Sequence, residues 1–252
     1  MRDVATTQDI FLKGRLTIEQ PKAGFRSGSD AVLLAAAAAG FAFKNAIEAG
    51  CGAGAALLSV QALCAQQHGR LAGLEKDDAM AELANGNVHA NGFVANIDIF
   101  MGDILDPPRS LTGRFDLVFS NPPFFDDNGA IRDPAPLRQA AYILGAPLQA
   151  WIQGMLALCA PKGRMVMIHR ADRLPDILDA LKGKAGDIGV YPIRSRAGEN
   201  AKRVIVSALK GSRAPMRLLA GMDMHPDAGA NTGDGRFSPA YEAVCNGGVL
   251  QV

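Results

Sequence analysis

The chain of 252 residues has a single tryptophan, three tyrosines, four cysteines and four histidines. Its cysteines, Cys51, Cys64, Cys159 and Cys245, stand far apart and form no C-x-x-C pair. The histidines lack the spacing of a zinc site. These absences argue against a disulfide framework and a structural metal, and the thiols read as reduced in a cytoplasmic protein. The opening residues, Met1 to Thr6, lack the apolar region of a signal peptide. The longest apolar run, Ala31 to Phe43, is mostly alanine and falls short of the ~20 residues that span a bilayer. It predicts a buried helix.

A formal net charge of +1 gives no bulk attraction to nucleic acid, but the charge is unevenly placed. Between Pro161 and Arg217 there are 13 Lys+Arg against 5 Asp+Glu, and the remainder is net acidic. A basic block on an otherwise acidic protein suits a phosphate-bearing partner. The length and the 48% hydrophobic content suit one large α/β domain.

Strand and helix patterns alternate along most of the chain. Residues up to Lys22 read as a short antiparallel flap, with alternation around a glycine turn at Phe11 to Ile18. Ser29 or Asp30 is a plausible N-cap for the alanine-rich helix. A strand at Ala46–Ala49 runs into Gly50-Cys51-Gly52-Ala53-Gly54 and then a helix. A second strand ends in Glu75, and a helix follows from Asp77 to about Asn91. A third strand, Ile97–Met101, leads into Gly102-Asp103-Ile104. Trp151, Ile152, Met155, Leu156 and Leu158 repeat at helical spacing and read as core. Ile188–Ile193 and Arg203–Leu209 are expected to close the sheet as an antiparallel pair. The expectation is a single domain over 1–252, with a flap at 1–22 and a mobile tail from about 220 to 252. Its class is α/β, a Rossmann-like doubly wound sheet.

The chemistry concentrates at Phe115-Asp116-Leu117-Val118-Phe119-Ser120-Asn121-Pro122-Pro123-Phe124. A buried strand stops at Asn-Pro-Pro, because proline cannot donate to a ladder and pushes its predecessor out of the helical region. Ligands of open parallel sheets bind beyond the carboxyl ends of strands. An Asn side-chain oxygen and the Pro122 carbonyl can each accept one hydrogen of an –NH₂ group, and Phe124 can stack on a flat ring. Such a clamp strengthens as positive charge develops on the nitrogen, which favours the transition state.

Asn121-Pro122-Pro123-Phe124 resembles the signature of S-adenosylmethionine-dependent methyltransferases that act on exocyclic or amide nitrogens. Glu48-x-Gly50-x-Gly52-x-Gly54 is similar to their donor loop, although the acid there is more often Asp. Gly50-x-Gly52-x-x-Ala55 also satisfies a dinucleotide fingerprint, and Glu75 would serve the ribose of either ligand. With the flap, Gly24-Phe25-Arg26-Ser27-Gly28-Ser29-Asp30, Trp151-Ile152 and Ala201-Lys202-Arg203-Val204, nearly the whole chain resembles the bacterial tRNA adenine-N6 methyltransferases that modify a valine tRNA.

That resemblance implies seven strands with the last inserted antiparallel. It implies a donor site at Arg26, Asp30, Glu48, Gly50, Cys51, Gly52, Gly54, Glu75, Asp103, Ile104 and Asn121, with catalysis by Asn121, Pro122, Pro123 and Phe124. Arg132, Arg138, Arg194, Arg196, Lys202 and Arg203 are candidate tRNA contacts. No metal is expected. A glutamine-N5 protein methyltransferase and an rRNA guanine-N2 methyltransferase would use the same clamp. A nicotinamide-dependent oxidoreductase fits the glycine loop but leaves Asn121 to Phe124 unexplained. A non-catalytic RNA-binding module would keep the basic block without needing Glu75, Asp103 and Asn121 together.

Overall fold

A computed structural model describes residues 5–23, 26–64, 69–123, 146–226 and 237–252. The flap is a hairpin of β1 (Thr6–Phe11) and β2 (Leu16–Pro21), paired antiparallel from Thr6 opposite Pro21 to Phe11 opposite Leu16. The main sheet holds β3 (Asn45–Ala49), β4 (Arg70–Glu75), β5 (Ile97–Met101), β6 (Phe115–Ser120), β7 (Cys159–Arg170), β8 (Ala185–Arg194) and β9 (Arg203–Lys210). Their order across the sheet is β8-β9-β7-β6-β3-β4-β5. Strand β9 lies antiparallel between β7 and β8, while the other neighbours run parallel. Two short strands, β10 (Arg217–Leu218) and β11 (Met222–Asp223), extend the sheet beside β8, making nine among the described residues where seven are expected.

The chain starts at the centre with β3, winds outward through β4 and β5, then returns to β6 and winds the other way. The reversal opens a crevice at the carboxyl ends of β3 and β6. Helices α1 (Ser29–Ala38), α2 (Ala55–Leu63) and α3 (Asp78–Ala90) share a core with one face, and α4 (Ala146–Leu158) and α5 (Leu174–Leu181) with the other. Alternation along the strands feeds both cores. On β7, Val166 and Ile168 enter the first and Met165 and Met167 the second. Among the described residues, no helix is long and apolar enough to cross a membrane.

Every residue of α1 from Ala31 to Ala38 is buried, which explains an alanine run with no polar face. Its cap differs from expectation. Gly28 is the N-cap and no side chain caps it. The Asp30 carboxylate instead accepts from Arg203 at the start of β9, Nε to Oδ2 3.0 Å. The described part of the expected mobile tail also differs. Strand β11 pairs with β8, and α6 (Pro239–Cys245) buries Tyr241 and Val244 in the first core. The Leu250 N–H donates to the Ala36 carbonyl at 2.9 Å. Alanine side chains leave room for the chain end to lie directly on α1.

The hairpin docks on α3 through two amides. Asn87 accepts from the Glu19 N–H at 2.8 Å and donates to the Glu19 carbonyl at 2.9 Å. Asn91 treats Thr17 in the same way, at 3.2 and 2.9 Å. Asn87 Nδ2 also donates to the Ala53 carbonyl in the glycine loop at 2.9 Å.

His169, on β7, is buried. Burial first, then the Arg173 charge, hold its imidazole down to about 4, with smaller contributions from Arg170 and Arg203 and an opposing backbone hydrogen bond at Arg170. The unfolded chain titrates near 6.5. Folding stability is therefore full above that value and falls as pH drops from 6.5 toward 4, by about 3 kcal/mol in all. Denaturant titrations across this range should show the loss, and the His169 ring proton should titrate near 4 by NMR.

Candidate active site

At the end of β3 the N–H groups of Gly50 and Cys51 both donate to the Leu74 carbonyl, at 2.8 and 3.1 Å. This double bond to β4 turns the chain sharply, and Gly50, Gly52 and Gly54 have φ of +69°, +55° and +85°. At Gly50 a second constraint applies. A Cβ there would lie 2.7 Å from the Trp151 ring. Gly50 therefore packs against the indole with no room for a side chain, at a positive φ that glycine favours.

The Glu75 carboxylate holds the loop from the neighbouring strand. Its Oε2 accepts from the Gly52 N–H at 2.9 Å, and its Oε1 from Lys76 and Asp77 at 2.8 and 3.0 Å. A carboxylate has about four lone-pair sites, so about one remains for a ligand. Next along the edge, Gly102 donates to the Glu75 carbonyl at 2.9 Å, which brings Asp103 and Ile104 alongside. Asp103 Oδ1 accepts from the Leu105 N–H at 3.0 Å, and Oδ2 lies 3.5 Å from Lys76 Nζ. The Ile104 side chain is buried.

Glu48 lies inside the sheet, 3% exposed, and its Oε2 has no hydrogen-bond partner among the described residues. Burial drives its carboxyl well above the ordinary range; a Leu57 backbone hydrogen bond opposes this and Glu75 adds to it. The Cys51 thiol is likewise raised by burial, then by Glu48 and Glu75, so it is no nucleophile at neutral pH.

Across the crevice, Glu48 pairs in register with Phe119, two residues before Asn121. The Asn121 Oδ1 is buried and likewise has no partner among the described residues. Pro122 is buried and Pro123 exposed. The preceding Ser120 bonds to both sides of the crevice: its hydroxyl donates to the Ala49 carbonyl at 2.6 Å and accepts from Trp151 Nε1 at 2.9 Å. Phe124, Arg132 and Arg138 lie outside the described residues.

The structure thus brings together Glu48, the glycine loop, Glu75, Asp103, Ile104 and Asn121 along one edge. Other candidates are paired with residues outside this group. Arg26 binds Asp9 at 2.7 Å, Asp30 binds Arg203, and Arg194 binds Asp223 at 2.5 Å. Arg196 donates to the Pro226 carbonyl, and Lys202 is exposed. The basic block is split by the strand directions. Arg170, Arg173, Arg194, Arg196, Lys202 and Arg203 lie at the carboxyl end of β7 and β8, where the crevice opens. Lys162, Arg164, Lys182, Lys184, Lys210, Arg213 and Arg217 lie toward the opposite end. Sequence reasoning missed Ser120 and Trp151 as site residues, and the bracing role of Glu75. The lone tryptophan, and a hydroxyl next to Asn-Pro-Pro, were the signals at hand.

Residues 22–140 match the family model described as the methyltransferase small domain. A tRNA1(Val) (adenine(37)-N6)-methyltransferase of Porphyromonas gingivalis is 38% identical over 67% of this chain and 68% of its own length. A protein of the same name from Cronobacter sakazakii is 26% identical over 90% of this chain and 89% of its own length. Among solved structures, a protein from Agrobacterium tumefaciens described as a predicted O-methyltransferase superposes with a TM-score of 0.69 at 25% identity, covering 88% of this chain and 98% of that one. With the sheet order, the donor-loop geometry and the Asn-Pro-Pro edge already in place, the chain belongs to the tRNA1(Val) (adenine(37)-N6)-methyltransferase family.

Proposed function

We propose that this chain methylates the exocyclic N6 amine of an adenine in a tRNA loop, taking the methyl group from S-adenosylmethionine. Its relatives' names specify adenine 37 of a valine tRNA, and that target is part of the proposal. The observation that carries it is a pair of buried acceptor oxygens, Glu48 Oε2 and Asn121 Oδ1, on adjacent strand ends with no donor among the described residues. Buried polar atoms are rarely left unpaired without a functional reason.

The two acceptors fit the two reactants. S-adenosylmethionine supplies an electrophilic methyl on a cationic sulfur and carries an ammonium group. Glu48 offers a buried carboxyl whose ionised form would pair with that ammonium, and the Glu75 carboxylate keeps about one lone-pair site for a ribose hydroxyl. Asp103 and Ile104 stand next along the edge, where an adenine ring would be met by a carboxylate and an apolar side chain. Asn121 Oδ1 accepts one N6 hydrogen and the Pro122 carbonyl the other. These oxygens hold the amine for in-line attack and stabilise the charge that grows on it. A loop base reaches such a pocket by leaving its stack. The cations at the carboxyl end of β7 and β8 supply phosphate attraction. Binding to tRNA should weaken steeply with added salt.

The test is methyl transfer from labelled donor to total RNA of a strain lacking this protein, followed by nucleoside analysis. N6-methyladenosine is expected. Labelled N2-methylguanosine, or label in protein and none in RNA, would overturn the proposal.

A further inference from the structure

We infer that Ser120 and Trp151 form a positioning relay that fixes the amine clamp relative to the donor loop. The inference rests on the methyl-transfer reading above. Indole N–H is a donor only, so the Ser120 hydroxyl accepts from Trp151 at 2.9 Å and must give its own hydrogen to the Ala49 carbonyl at 2.6 Å. Both polar groups of the relay are buried, Ser120 completely. Ala49 is the residue before Gly50, and Ser120 the residue before Asn121. The same indole, through its benzo edge, fills the space beside Gly50 that a Cβ would occupy.

One side chain of α4 thus touches the first residue of the donor loop and, through one hydroxyl, the residue before the clamp and the residue before the loop. The register between β3 and β6 ends at the Glu48–Phe119 pair, and the side-chain bond from Ser120 to Ala49 joins the two strands one residue beyond it. Transfer rates respond to displacements of about 1 Å in the reacting pair. A strut of this kind sets the distance between methyl and amine without touching either. Ser120 and Trp151 are positioning residues, and Asn121 remains the catalytic one.

Four variants test this: Ser120→Ala, Trp151→Phe, their double substitution and Ser120→Thr. Ser120→Ala and Trp151→Phe should each lower kcat by roughly 10–100-fold while calorimetric affinity for S-adenosylmethionine stays within about threefold. Because the two residues act as one unit, the double variant should be no worse than the poorer single one. Ser120→Thr keeps the hydroxyl and should restore most of kcat. Trp151 is the only tryptophan, so its emission reports the relay directly. The spectrum should change in Ser120→Ala at unchanged far-UV circular dichroism.

Unchanged emission, multiplicative losses in the double variant, or a fall in Tm with wild-type kcat would each overturn the relay. If Ser120→Ala does not fold, Trp151→Phe, which keeps a ring beside Gly50, carries the kinetic test against Ser120→Thr. An inactive wild-type protein would instead overturn the methyl-transfer reading.

Discussion

Asn121→Ala should lower turnover by roughly 10²–10³ and leave the affinity for S-adenosylmethionine nearly unchanged. The magnitude is that of deleting one hydrogen bond aimed at developing charge. The side-chain oxygen is buried and has no partner among the described residues. Its removal breaks no hydrogen bond among them and leaves only a small void. The variant should therefore melt within a few degrees of wild type, as function and stability draw on different atoms here. Single-turnover kinetics with saturating donor and tRNA measure the loss. Turnover near the wild-type rate would remove Asn121 from the mechanism.

Glu48→Gln should act in two opposite directions. Without donor, the variant should melt above wild type, because a neutral amide replaces a buried carboxyl that resists ionisation. The sign follows from linkage. Burial raises the Glu48 pKa above its value of 4.5 in the unfolded chain, so the folded state holds the proton more tightly. Its stabilising effect is full below 4.5 and fades as pH rises toward the raised value. The melting gap between variant and wild type should widen with pH in that window. Donor affinity should move the other way. Losing the charge that meets an ammonium costs about 1.5–3 kcal/mol, or roughly 10–100-fold. Wild-type affinity should also rise with pH as the carboxyl ionises, and the variant's should not. Equal donor affinity in the two proteins would show that Glu48 serves packing alone.

The sequence announces the central edge well, and the reason is local. Proline chemistry at 122 and 123, glycines at 50, 52 and 54, and alternation within β6 and β7 each fix a conformation within a few residues. Long-range polar pairing leaves no such mark. Asp30 reads as a helix cap, yet Arg203, 173 positions away, takes its carboxylate. Glu75 reads as a ribose ligand, yet three backbone N–H groups occupy most of it. Trp151 reads as core, which its burial satisfies, and its N–H bond appears only once α4 and β6 are placed together. The basic block is continuous in sequence and divided in space because β7, β8 and β9 carry it to both ends of the sheet. The residues from Ala220 onward lack periodicity, but Tyr241, Val244, Leu250 and Val252 are buried in the first core, and Leu250 bonds to the Ala36 carbonyl of α1.

The amides of α3 impose a vernier on the flap. Four residues of helix advance about 6 Å and two residues of strand about 6.8 Å, so Asn87 and Asn91 meet Glu19 and Thr17 at nearly the same pitch. Sliding the hairpin by one residue would bring neither amide opposite a matching N–H and C=O pair, so the helix sets the hairpin's register from outside. Asn87 spends its remaining hydrogen on Ala53, and the ruler that reads the hairpin is thereby pinned to the turn between Gly52 and Gly54.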